Sequence, residues 1–184
     1  MVDGLPVASL ARTVLDLCRT VPIEQAVAAD DRAMAYGLVR EVPEDHLAQM
    51  ARWPGTRQAS RAITLFDPRR ESPGESVSRV RLHEDGLPTP EPQQDIYHGH
   101  GKFVARVDFY WKEQRTIGEF DGKIKYGRQR KPGQSLEEAI FTEKLREDAL
   151  RDLGWQIVRW LWADLYRPGV HRDRVLRAFA RSSS

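Results

Sequence analysis

A single cysteine, no long apolar run and almost no net charge are the first features of this 184-residue chain. Cys18 has no partner for an internal disulfide, and its place inside the apolar run "TVLDLC" makes it an expected core residue. No apolar stretch approaches the ~18–20 residues needed to cross a bilayer, and the first residues do not read as a basic segment followed by an apolar signal core. No membrane partner is expected, and a reducing cytoplasm is the expected setting. Lys and Arg number 29 against 27 Asp and Glu, giving a formal charge of +2, so bulk basicity argues only weakly for nucleic acid. Repeats are absent, and the Ser182–Ser184 tail is the only low-complexity stretch.

What is present suffices for a core. With 40% hydrophobic residues the length suits one compact domain and a small helical appendage, and excludes a large multidomain enzyme. From Ser9, Leu10, Val14, Leu15, Leu17 and Cys18 fall on one helical stripe; Pro22 breaks it, and Ala26, Val27 and Ala33 resume it. "PEDHLAQMARW" and "TRQASRAITLF" read as two more helices separated by Pro54-Gly55. Residues 1–67 are therefore expected to be a helical unit of about four short helices with no nucleophile, metal-ligand spacing or phosphate loop. The opening "MVDGLPVASLARTVLDL", already near a helix start, reads like the middle of a larger architecture.

Asp67-Pro68 and Ser72-Pro73 interrupt the chain before a helix expected over 74–85, closed by Gly86 and Pro88. The composition then turns to strands: "QQDIYHG", "KFVARVDFYW" and "RTIGEFDG", joined by short turns at Gly99–Gly101 and Lys112–Gln114. After the basic "KIKYGRQRKPGQS" comes a long helix whose Ile140, Phe141, Leu145, Ala149, Leu150 and Leu153 predict one apolar stripe. Gly154 ends it. The strand "WQIVRWLW" and a last helix, "VHRDRVLRAFARS", follow. Three meander strands, then helix, strand and helix, predict an α/β sheet over 68–184, with the late strand joining by a crossover.

Three acids stand on those strands. Period-two alternation puts Glu119 and Asp121 on one face, and a hairpin across Lys112–Gln114 sets Asp108 roughly opposite, within ~5–8 Å. Like charges that close destabilise one another unless a cation neutralises them, and oxygen-only ligation suits Mg²⁺ or Mn²⁺. The alternative is a solvated polar face on an amphipathic hairpin. Lys123 and Lys125 follow at once, and a lysine beside a metal-bound water helps polarise a phosphodiester.

The set "ESPGES", "RVDFYW", "GEFDGKIKYG" and "EKLREDALRDLGWQIVRWLWADL" resembles the PD-(D/E)XK nuclease superfamily, in the branch similar to very-short-patch-repair endonucleases and their actinobacterial relatives. The likeness runs from about Glu71 to the end. It implies a restriction-endonuclease-like core, a mixed sheet with an antiparallel meander flanked by helices. By the same resemblance, Glu75 corresponds to the helix glutamate near the metal, Asp108 to the signature aspartate and Glu119 to the second acid. The usual lysine two residues on is Asp121 here, which suits a further metal ligand; the lysine's task would then pass to Lys123, Lys125 or Lys144. Residues 4–34 resemble the linker that joins an AbiEi-type antitoxin winged helix to a nuclease-like domain, although no such winged helix is in this chain.

Other candidates are weaker. His83, His98, His100 and His171 lack zinc spacing, and "GHGK" lacks the spacing and following helix of a phosphate loop. Trp155 and Trp160 read as core, while Trp162 has the option of facing the site. Arg146 is read as a solvated residue or a phosphate holder. Lys123, Lys125, Arg128, Arg130 and Lys131 suit a loop that follows a nucleic-acid backbone. The expected function is a Mg²⁺- or Mn²⁺-dependent endonuclease acting on DNA; the alternative is a catalytically silent nucleic-acid-binding or antitoxin-like module on the same fold.

Overall fold

A computed structural model describes residues 4–5, 7–39, 41–69, 72–122 and 135–182. The chain packs as two units, Met1–Arg81 and Leu82–Ser184. The sequence boundary at 67/68 and this division differ because the helix that starts at Pro73 packs Val80 into the first unit's core.

The first unit holds α1 (Leu10–Thr20), α2 (Ile23–Ala35), α3 (Glu41–Gln49), α4 (Thr56–Thr64) and most of α5 (Pro73–Glu84). Ser9 caps α1, its Oγ accepting from the Arg12 N–H. Val14, Leu15, Cys18, Ala26, Val27 and Ala33 lie in its buried cluster, as the helical spacing predicts, and Ala59, Ala62 and Ile63 of α4 join them. Leu10, expected on the same stripe, is exposed at the start of α1, and Leu17 is only half-buried. Burial pushes the Cys18 thiol up to about 12, so it stays a protonated, inert core residue. Two ion pairs tie α5 to α2: Arg79 reaches Asp31 at 2.9 Å and Arg81 reaches Glu24 at 2.7 Å.

The second unit is a four-stranded sheet in the order β1-β2-β3-β4, flanked by helices. β1 (Glu91–Tyr97), β2 (Phe103–Trp111) and β3 (Thr116–Phe120) form the antiparallel meander. α6 (Leu136–Asp152) then crosses over to β4 (Gln156–Trp160), which pairs in parallel with β3. α6 starts at a capping box, Ser135 Oγ accepting from Glu138 N–H while Glu138 Oε2 accepts from Ser135 N–H.

Two expectations need correcting. The late strand stops at Trp160 rather than running to Trp162, because Asp164 Oδ2 accepts the Leu161 N–H and starts the short helix α7 (Trp162–Leu165). The apolar stripe of α6 is also incomplete: Leu150 is buried and Leu153 packs beside it, but Ile140, Phe141 and Leu145 are exposed. The helix instead turns charged residues toward the sheet. α8 (Val170–Ser182) closes the opposite face, where Trp111 meets Phe179 and Trp160 meets His171. No helix among the described residues is long and apolar enough to cross a membrane.

Candidate functional site

The carboxylates of β2 and β3 stand where those strands part. The ladder runs Trp111↔Thr116, Tyr110↔Ile117, Phe109↔Gly118. One step further Asp108 and Glu119 come side by side on the face that alternation turns away from Phe109 and Gly118. There the Phe120 N–H donates to Asp108 Oδ2 at 3.0 Å instead of to a β2 carbonyl. β3 leaves β2 at this point and stays with β4, the Asp121 N–H donating to the Trp160 carbonyl at 2.9 Å. Asp108 Oδ1 also receives a long 3.4 Å contact from Gln93 Nε2, on a β1 residue with φ of 51°.

Glu119 is held by two arginines. Arg146 Nη2, from α6, donates to Oε1 at 2.7 Å, and Arg159 Nε, its register partner on β4, donates to Oε2 at 2.9 Å. The same guanidinium groups bind α6: Arg146 takes both oxygens of Glu143, and Arg159 reaches Glu143 and, at 3.2 Å, Glu147. Burial pushes the Glu143 carboxyl upward, but the hydrogen bond from Arg146 and the charge of Arg159 outweigh it and hold the group below the ordinary glutamate range. Burial works against the charge of Arg146 and Arg159, but Glu143 and Glu119, with Glu147 for Arg159, hold their protons more tightly than usual. Glu119 on the sheet and Glu143 and Glu147 on α6 are thus balanced by guanidinium, a charge that no physiological pH removes.

The candidate residues fall into three groups. Asp108, within β2, and Glu119, near the end of β3, flank the point where the two strands stop pairing, and half-buried Asp121 follows β3. Lys144 is exposed on α6, one residue from Glu143 but around the helix from the network. Glu75 belongs to the first unit, where it is 3% exposed and accepts from Ser72 Oγ at 2.7 Å in the first turn of α5. Lys123, Lys125 and the rest of the basic loop lie outside the described residues. Arg159, Glu143 and Glu147 are the participants that sequence reasoning missed. Glu143 and Glu147 stand at i and i+4 with Arg146 between, a signal that reads equally well as an exposed helix face until the Glu119↔Arg159 register is known.

As a donor set, Asp108 and Glu119 fit magnesium, which is commonly held by one or two carboxylates and completes its octahedron with water and phosphate oxygens. Among the described residues no cluster of three acid, histidine or cysteine side chains joins there to make an all-protein cage. A cation at Glu119 would compete with two guanidinium groups for the same oxygens.

Two Mycobacterium tuberculosis proteins, each carrying the name uncharacterized protein (MT2308 and Rv2248), are 31% identical to the chain over 183 residues, or 98% of it. The chain spans 64% of the length of these curated relatives. No protein-family model matches it, and no solved structure matches it.

Proposed function

We propose that the chain hydrolyses phosphodiester bonds in nucleic acid, with DNA the favoured substrate, as a metal-dependent endonuclease centred on Asp108 and Glu119. The observation that carries this reading is the opening between β2 and β3, where two carboxylates stand beside two arginines on one face. Guanidinium groups match phosphate oxygens in a bidentate fork, so Arg146 and Arg159 suit the anion that the carboxylates alone would repel. Mg²⁺ or Mn²⁺, when bound by Asp108 and Glu119 with Asp121 near, would supply an activated water and neutralise the leaving oxyanion. The chain's own part is to hold the Asp108 carboxylate fixed by the Phe120 N–H and to orient the phosphate with arginine. Glu75 and the lysines at 123, 125 and 144 enter only through the superfamily resemblance.

A second reading has its own observation. Both oxygens of Glu119 are engaged by arginine and Asp108 serves a main-chain N–H, an arrangement that is self-sufficient in a catalytically silent binding module. Calorimetric titration with Mn²⁺, followed by plasmid nicking on the same preparations, separates the two. The nuclease reading expects metal binding and metal-dependent nicking that both vanish in Asp108→Ala. A folded wild type that neither binds metal nor nicks would give the silent module the lead.

A further inference from the structure

The end of the sheet that carries the carboxylates also carries two pairs of exposed aromatic rings. β3 and β4 run parallel and finish together at Phe120 and Trp160, and β2 begins and β1 finishes at that same end. Just past β4, Trp162 and Tyr166 lie nearly parallel, 6.4 Å between centroids and 12° between planes. They are 37% and 55% exposed. Trp162 also sets its ring edge-to-face against Phe120, at 4.9 Å and 79°, between Glu119 and Asp121 in the chain. At the mouth of the β1–β2 hairpin, Tyr97 and Phe103 face each other across the strands at 5.8 Å and 74°, 52% and 53% exposed. Asp108 lies five steps along β2 from Phe103, about 17 Å at a strand rise of ~3.3 Å, or the length of about five stacked nucleotides at ~3.4 Å each.

Single apolar residues on a surface need no explanation, but two ring pairs of this exposure toward one end of one sheet do. Lys102 and Arg167 stand exposed beside the two pairs. We propose that this end of the sheet is a stacking platform for an unpaired nucleic-acid strand, Trp162–Tyr166 and Tyr97–Phe103 receiving its bases and the arginines and lysine its phosphates. The proposal deepens the nucleic-acid reading above and rests on it. Flat aromatic faces accept any base, and a base offers its face to them only when it has left its pair and its stack. The rings therefore select single-stranded or splayed segments over intact duplex, and they select weakly for sequence.

The test is fluorescence anisotropy of the full 184-residue chain with a labelled oligothymidylate of about twelve nucleotides, within the span that single-strand sites commonly cover. Its abasic counterpart and a duplex of the same length run beside it, all in EDTA so that hydrolysis plays no part. The wild type should bind the intact strand at least about fivefold more tightly than the abasic one, and more tightly than the duplex. That preference should shrink in Trp162→Ala and Tyr166→Ala and return in Trp162→Phe. Should Trp162→Ala fail to fold, the wild-type comparison of intact with abasic strand and the hairpin variant Phe103→Ala still decide. Equal affinity for intact and abasic strands, preference for duplex, or an undiminished preference in folded Trp162→Ala would overturn the platform. Metal-dependent cleavage without base-dependent binding would reject the platform and leave the nuclease reading standing; base-dependent binding without cleavage would do the reverse.

Discussion

The two faces of the second unit's sheet are built on different physics from the same strands. Toward α8 the sheet presents Phe109, Trp111 and Trp160, with Phe109 and Trp160 5.0 Å apart and Trp111 5.4 Å from Phe179. Gly118 keeps that layer closed: a Cβ there would come within 2.5 Å of the Trp160 ring and 2.9 Å of the Trp111 ring. Toward α6 the next residue, Glu119, enters a network of two arginines and two further glutamates. One face is stabilised by area removed from water, the other by directional charged contacts whose gain is largely offset by desolvation. Alternation along "TIGEF" serves both, so the stable layer and the chemically capable layer are one residue apart.

The largest expected effect comes from breaking the aromatic face. Trp160→Ala removes a fully buried indole and should cost about 3–5 kcal/mol in urea denaturation. A loss under about 1 kcal/mol would mean that the two faces do not differ as described.

Acid should sharpen the contrast. His171 is 2% exposed against Trp160, neither ring nitrogen has a hydrogen-bond partner among the described residues, and Asp164 and Arg174 are its charged neighbours. Burial and then Arg174 lower its value from 6.5 to about 4. A folded pKa below the unfolded one means that the unfolded chain binds the proton first. Stability is then full above about pH 6.5 and falls, by roughly 3 kcal/mol in all, as pH drops toward 4. His171→Phe should flatten that window. Glu143 acts lower on the scale: its depressed carboxyl contributes stability above the ordinary glutamate range, lost as pH falls through the folded value. The aromatic face should loosen first on acidification and the charged face after it.

The strands, the crossover and the first unit's four leading helices were legible because each rests on local periodicity: Val107, Phe109 and Trp111 alternate, and Val14, Leu15 and Cys18 repeat helically. The shared face of Asp108 and Glu119 was legible for the same reason. The arginine neutralisation was not, because Glu119 meets Arg146 and Arg159 across 27 and 40 residues of chain. The stripe on α6 misled for a related reason. Ile140, Phe141 and Leu145 count as apolar in any periodicity analysis, but a helix resting on Glu119 and Arg159 has to turn Glu143 and Arg146 inward.

Arg146→Ala tests the charged face directly. It leaves Glu119 with one cation and Glu143 with one fewer, and the side chain is 24% exposed. The expected cost is about 1–3 kcal/mol, less than for Trp160→Ala. Raising salt toward ~1 M should weaken the wild-type contribution of this face, since screening shortens to about 3 Å, and leave the aromatic contribution intact.

The smallest effect belongs to Lys144. It neighbours Glu143 in sequence, yet 100° of helical turn carries it out to solvent and 200° separates it from Arg146. Lys144→Ala should therefore change stability by less than about 0.5 kcal/mol. Under the nuclease reading it should also leave the cleavage rate within about threefold, under 1 kcal/mol of barrier. A hundredfold loss of cleavage with unchanged stability would instead make Lys144 the lysine that the resemblance requires, and α6 would have to rotate its outer face inward during turnover. That rotation would bring Ile140 and Leu145 with it, so the exposed apolar residues of α6 would be the buried ones in the catalytic state.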